Sequence, residues 1–327
     1  MKQFFKIMFA SMFGFVLSLI VALFIFGGIM GAILSSSKPK APRVSESSIL
    51  HIKLENAIKD RASNNPFDNF DFGSLEDKTP STLGVIIENI KKAKTDDRIE
   101  GIYLDIDYLQ TNMANTEEIR NALIDFKSSG KFIVSYSESF GQNEYYLSSV
   151  ADEIYLHSAG EMTFKGLSAQ VMFFNDMLER VEVDMQVVRH GKFKSAIEPF
   201  IREDMSPENK EQMKVLVHSI WDNRLESISS NRGVSVDKLN EIADNLLVRT
   251  AEDAEELQLV DGLKYEDEVH ALLKAKTEID AEDDLNLISL SKFKQVKKTN
   301  TEEGDRIKST SKNRIAVVFA EGEIRSG

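Results

Sequence analysis

Ile99-Glu100-Gly101-Ile102-Tyr103-Leu104-Asp105-Ile106, then Thr116 to Phe126, then Phe132-Ile133-Val134-Ser135, is the stretch on which the fold turns. It reads strand, helix, strand. The same alternation runs outward from it in both directions. Ser48 to Leu54 is rich in Ile and Leu and reads as a strand. Ser81 to Lys94 places Leu83, Ile86, Ile87 and Ile90 at helical spacing. Tyr145 to Val150 reads as a short helix and Glu153 to Leu156 as a strand. Strands alternating with helices predict βαβ units around a largely parallel sheet.

Further along, Phe173 to Val181 reads as a helix and Met185 to Val188 as a strand. Ser206-Pro207 is a strong helix start, with serine as N-cap and proline in the first turn. The helix that follows carries Met213, Leu216, Val217, Ile220, Trp221, Leu225 and Ile228 on one face, and Gly233 stands where a left-handed cap is expected. Val236 to Asn245 is another helix. Thr250 caps a further one, which ends at Asp261-Gly262. Asp60 to Thr79 is polar and reads as a loop.

The chain has 327 residues, 42% hydrophobic and 28% charged, with a net charge of −13. That charge argues against nucleic acid as the main partner, because phosphate binding needs a basic face. The lack of cysteine removes disulfides, thiolate metal sites and a cysteine nucleophile. His51, His157, His190, His218 and His270 show no ligand spacing, so no metal or cofactor is expected. The acidic runs Glu252–Glu256 and Glu266–Glu268 read as solvated helix faces.

Residues 7–34 contain no charge. As a helix they would span ~42 Å, more than the ~30 Å of bilayer hydrocarbon. The run is too long for a cleaved signal peptide, and Ala32-Ile33-Leu34 is a poor cleavage site, so a retained anchor is expected. Flanking lysines and arginines nearly balance and do not orient it. The expected organisation is a short tail at 1–6, the anchor at 7–34, a linker at 35–47, a folded domain at 48–296 and a polar linker at 297–314. From Ile315 the sequence Ile-Ala-Val-Val-Phe-Ala-Glu-Gly-Glu-Ile repeats the register of Ile49 to Ile58, with Glu321 matching Glu55. It reads as the first strand of a second copy, 315–327, in a chain truncated part-way through that copy.

Chemistry concentrates in Gly191-Lys192-Phe193-Lys194-Ser195-Ala196-Ile197-Glu198-Pro199-Phe200. A lysine that works as a base near pH 7 must have its pKa lowered by about 3 units, roughly 4 kcal/mol of differential desolvation. Phe193, Ala196 and Ile197 could supply an apolar wall at the end of a buried strand. The physics does not separate Lys194 from Lys192. Ser195 is a poor nucleophile for Lys194, because neighbours on a strand point to opposite faces. Ser137 and Ser139 read as turn serines, His190 as structural, and Glu198 as a possible ion-pair partner of the motif. The chain has no Gly-x-Ser-x-Gly elbow.

Lys194-Ser195-Ala196, Glu198-Pro199-Phe200 and Met205-Ser206-Pro207, in this order and spacing, resemble the lysine motif of the SppA family of signal peptide peptidases, in its long duplicated form. The resemblance extends over residues 48–275 and again over 315–324. It implies a ClpP/crotonase-type α/β superhelix of ββα units and a Ser–Lys dyad in which Lys194, rather than Lys192, is the base. It also implies peptide substrates (released signal peptides), a ring-like homo-oligomer, and a bacterial inner-membrane anchor with a cytoplasmic amino terminus and a periplasmic body.

The family's serine segment, Ser-Gly-Gly before an aromatic pair, is here Gln142-Asn143-Glu144 before Tyr145-Tyr146. Its glycine-rich oxyanion turn is here Gln110-Thr111-Asn112-Met113. This domain therefore has no nucleophile of its own, and the resemblance puts the serine on the second copy. A non-catalytic scaffold that binds apolar peptides or oligomerises is the alternative. A crotonase-type acyl-CoA enzyme would need the oxyanion turn that is missing.

Overall fold

The computed structural model describes residues 2–36, 42–61, 70–71, 76–77, 82–188, 190–191, 193–296, 316 and 318. The polar linker at 297–314 and nearly all of the expected second copy lie outside them. The chain divides into two units, Met1–Arg43 and Val44–Gly327.

The first unit is one helix, α1 (Lys2–Ser36), of 35 residues. It is long and apolar enough to cross a membrane, and none of its apolar window is buried within the protein.

The second unit is built around β1 (Ser48–Lys53). A small antiparallel pair, β2 (Phe70–Asp71) and β3 (Glu76–Asp77), lies within the segment read as a loop. Then follow α2 (Leu83–Thr95), β4 (Ile99–Asp105), α3 (Met113–Lys127), β5 (Phe132–Phe140), α4 (Gln142–Ser148), β6 (Glu153–Met162), α5 (Asn175–Arg180), α6 (Glu198–Ile201) and α7 (Pro207–Arg232). The unit closes with α8 (Val236–Asp244), α9 (Ala251–Glu256), β7 (Gly262–Leu263), α10 (Glu266–Lys276), β8 (Leu287–Ser289) and α11 (Leu290–Phe293). Six strands form one sheet in the order β7-β6-β5-β4-β1-β8, every pair parallel. The parallel α/β fold expected from the sequence is the one observed.

The strands are buried on both faces, which is why they read as nearly continuous apolar runs. Leu50, Ile52, Ile102, Leu104 and Ile133 face the larger core, with Ile86, Ile119, Leu123, Phe126, Leu225 and Leu239 from the helices. The alternate residues Ile49, Tyr103, Val134 and Tyr136 face a smaller core closed by Val269 and Leu273 of α10.

Local signals placed the caps. Ser206 accepts from the Asn209 backbone N–H, Gly233 closes α7 with φ 71, and Thr250 forms a capping box with Asp253. Met185 to Val188, expected as a strand, pairs with no strand among the described residues and is largely exposed. Ser137 and Ser139 lie inside β5, which runs to Phe140, and not in a turn. They flank the point where the β5–β6 register shifts. Gly160 sits at this irregularity, and a Cβ there would collide with the carbonyl oxygens of Glu138 and His157. Gly160→Ala is expected to cost about 1–3 kcal/mol in urea unfolding, because backbone must move to admit the methyl.

Candidate functional site

β6 ends at Met162, Phe164 still packs in the larger core, and from Lys165 the chain makes an excursion that ends at α7. Lys194 lies on this excursion and is exposed. The apolar wall expected around it is not formed by its neighbours: Phe193 is 56% exposed, Ala196 is exposed and Ile197 half-buried. Ser195 follows in an irregular turn, so the strand argument that set it apart from Lys194 does not apply. His190 is exposed, and Lys192 lies outside the described residues.

Glu198 is fully buried. Its carboxylate accepts hydrogen bonds from the Ser206 backbone N–H at 3.0 Å, the Ser206 hydroxyl at 2.5 Å and Asn209 Nδ2 at 2.9 Å. These bonds join the carboxylate to the amino terminus of α7. Burial raises the carboxyl pKa. The Ser206 and Asn209 bonds, with the charge of Arg202, lower it by more, so it lies below the ordinary value.

Gln142, Asn143 and Glu144, which stand where the sequence reading looked for a serine segment, each accept a hydrogen bond that joins two parts of the domain. Gln142 Oε1 accepts from the Lys165 backbone N–H at 2.7 Å, where the excursion begins. Asn143 Oδ1 accepts from Arg224 of α7 at 2.5 Å. Glu144 is buried and accepts from the Leu109 backbone N–H at 2.7 Å. The turn after β4 is used in the same way. Gln110 O accepts from the Ile58 backbone N–H at 3.0 Å, and Asn112 caps α3 by accepting from the Asn115 backbone N–H at 2.8 Å. No hydroxyl or thiol stands at the start of α4, and this turn offers no glycine-built cradle.

Behind α4 an aromatic chain links the site to α7. Phe140 and Tyr145 are 6.1 Å apart, Tyr145 and Phe164 5.9 Å, and Phe164 and Trp221 5.9 Å. Arg120 and Arg224 stand over the Tyr146 ring at 4.9 and 5.6 Å. Sequence reading missed these contacts, and nothing local could have supplied them: Asn143 and Arg224 are 81 positions apart.

A second polar cluster, also missed, lies at the carboxyl ends of β1 and β4. His51 Nε2 is 3.0 Å and Lys53 Nζ 3.4 Å from Asp105 Oδ2. Burial raises the Asp105 pKa, but the His51 hydrogen bond and the Lys53 charge lower it below the ordinary carboxylate value. Among the described residues no group of His, Asp or Glu has the arrangement to hold a metal ion.

Residues 125–280 match peptidase family S49. The chloroplastic serine protease SPPA of Arabidopsis thaliana is 33% identical over 259 residues, covering 78% of this chain and 36% of that protein. Protease 4 of Haemophilus influenzae is 38% identical over 160 residues, 49% of this chain and 26% of the relative. The chain thus spans little more than a third of the length of these curated relatives, or less. Among solved structures, a mutant of the 1510-N membrane-bound stomatin-specific protease aligns with a TM-score of 0.37 at 11% identity, over 76% of this chain and 98% of that one.

Proposed function

We propose, from the premise that the chain carries an SppA-type domain of peptidase family S49, that it supplies the lysine half of a membrane-anchored serine endopeptidase. One observation carries this reading. The domain presents Lys194 on an exposed excursion, while the residues at the nucleophile position, Gln142, Asn143 and Glu144, are committed to holding the structure together. The serine then comes from the second copy that begins near Ile315.

In this reading the second copy packs over Lys194 and desolvates it, which lets the amine exist neutral. Lys194 Nζ takes the proton from the serine Oγ as that oxygen attacks the scissile carbonyl carbon. The proton passes to the departing amine and an acyl-enzyme remains. Lys194 next takes a proton from water as its oxygen attacks the ester carbon, and passes that proton to the serine Oγ as the carbon–oxygen bond breaks, which releases the acid and restores the free serine. The oxyanion donors also belong to the second copy, since the turn Gln110-Thr111-Asn112-Met113 has no glycine. Released signal peptides are the substrate class, in keeping with α1 as an anchor in the bacterial inner membrane, a periplasmic body and a homo-oligomeric assembly.

A second reading is a non-catalytic scaffold for apolar peptides. It draws on the exposed apolar side chains of the excursion, such as Met172 at 73% and Val181 at 62%. A fluorophosphonate probe separates the two. The 327-residue chain should remain unlabelled, and the protein extended through the second copy should be labelled on one serine. Labelling of the 327-residue chain overturns the division of the dyad. No labelling of the extended protein favours the scaffold.

A further inference from the structure

We infer that Glu198 is the positioning residue for Lys194, its buried carboxylate pinning the turn that carries the lysine to the amino terminus of α7. The inference rests on the reading of Lys194 as the base.

Among the described residues from Lys165 to Met205, Glu198 is the only buried one. None of the described apolar side chains of the excursion is fully buried, and several are well exposed: Met172 is 73%, Val188 105% and Phe193 56% exposed. A segment with no apolar core of its own takes its position from directional contacts, and here the best-shielded contact is a carboxylate. Three donors converge on it from Ser206 and Asn209. The Ser206 hydroxyl also accepts from the Asn209 backbone N–H at 3.2 Å, so the helix cap and the carboxylate form one network. The positive end of α7 favours the charge, and hydrogen bonds to an ionised acceptor are the strong kind. At its other end α7 is sunk in the larger core through Leu225 and Ile228. Glu198 therefore ties the excursion to an element that the core fixes.

The link from Glu198 to Lys194 is short. The Glu198 backbone N–H donates to Ser195 O at 3.0 Å and closes the turn that follows the lysine. Phe174 N–H donates to Pro199 O at 2.6 Å, and the Phe174 and Phe200 rings stack at 6.0 Å, which braces the same turn from the start of the excursion. A plain helix cap would serve only the first turn of α7. The network instead predicts that loss of the carboxylate loosens the residues before it.

The test compares Glu198→Gln and Glu198→Asp. Gln keeps the size but removes the charge and replaces one carboxylate oxygen with a donor; Asp keeps the charge. Hydrogen–deuterium exchange on the 327-residue chain in detergent should show Glu198→Gln raising exchange of the amides from 194 to 204 by about 10-fold or more, with the central strands unchanged. Glu198→Asp should restore most of the protection. In the protein extended through the second copy, Glu198→Gln should lower kcat about 10- to 100-fold with KM unchanged, the size expected of a misplaced catalytic group. Unchanged exchange, or a rise spread over the whole domain, overturns the inference. So does full kcat for Glu198→Gln in a protein that Lys194→Ala inactivates. If Lys194→Ala itself keeps full activity, the reading of the base fails, and with it the positioning role.

Discussion

Lys194→Ala is expected to lower kcat/KM of the protein extended through the second copy by about 10⁴-fold, the upper range for removal of a general base. A serine hydroxyl is a weak nucleophile until a neighbouring group takes its proton, and the histidine of the commoner triads has no counterpart on the excursion: His190 is exposed and has no carboxylate orienting it among the described contacts. Lys194→Arg sharpens the test. A guanidinium keeps the positive charge and much of the reach, yet cannot be deprotonated in a protein. If the lysine acts as a base, arginine is as inactive as alanine. If it only attracts an anionic group, arginine retains most of the activity. Lys192→Ala should leave kcat within a few-fold, which resolves the choice between two lysines that the physics of the sequence left open. Neither change at 194 should alter stability by more than about 1 kcal/mol, the size of an exposed side chain's polar contacts. Undiminished cleavage by Lys194→Ala, with folding intact, removes the assignment.

The parts of the fold that were legible in the sequence are those fixed by neighbours along the chain. Ser206-Pro207, Gly233 and Thr250 with Asp253 each satisfy backbone groups within one helical turn, so the residues and the structure stand at the same place. The central strands were legible because burial on both faces leaves an apolar run. Pairing is different. β8 is three residues long and owes its existence to β1, more than 200 positions away, and nothing in Leu287-Ile288-Ser289 announces it. Met185 to Val188 has the composition of a strand but pairs with none among the described residues, so composition misled. The apolar face of α7 was read correctly as a pattern, yet only Leu225 and Ile228 are buried while Leu216 is 52% exposed. A stripe says where a surface is, and not what covers it.

The site divides in the same way. Glu198 and Lys194 are close in sequence and were both singled out, but the carboxylate's role depends on Ser206 and Asn209 folding back onto it. Gln142, Asn143 and Glu144 were noted for what they are not, namely Ser-Gly-Gly. What they do, bonding to Lys165, Arg224 and Leu109, is long-range and appears only in the fold.

Tyr145→Ala is expected to be the most damaging single change to the domain, at about 4 kcal/mol in urea unfolding. The ring is fully buried, and stands edge-on to Phe140 with an interplanar angle of 69° and to Phe164 at 89°. Its hydroxyl donates to the Leu259 carbonyl at 2.9 Å, 114 positions away. Burial raises its pKa, so the hydroxyl remains a donor at every pH at which the domain folds. Truncation to alanine opens a cavity between the start of α4 and the helices behind it, breaks two aromatic pairs and orphans the Leu259 oxygen. Tyr145→Phe separates these effects. It keeps the ring and loses only the hydrogen bond, and should cost about 1–2 kcal/mol. The difference of about 2–3 kcal/mol between the two variants is the packing contribution. For a domain stable by about 5–15 kcal/mol the alanine variant loses a large share of its reserve, and the phenylalanine variant does not. Because Phe164 stands edge-on to this ring and the excursion departs one residue later, the alanine variant should also free the segment that carries Lys194. Equal losses for the two variants would show that the hydroxyl, rather than the aromatic chain, holds α4 in place.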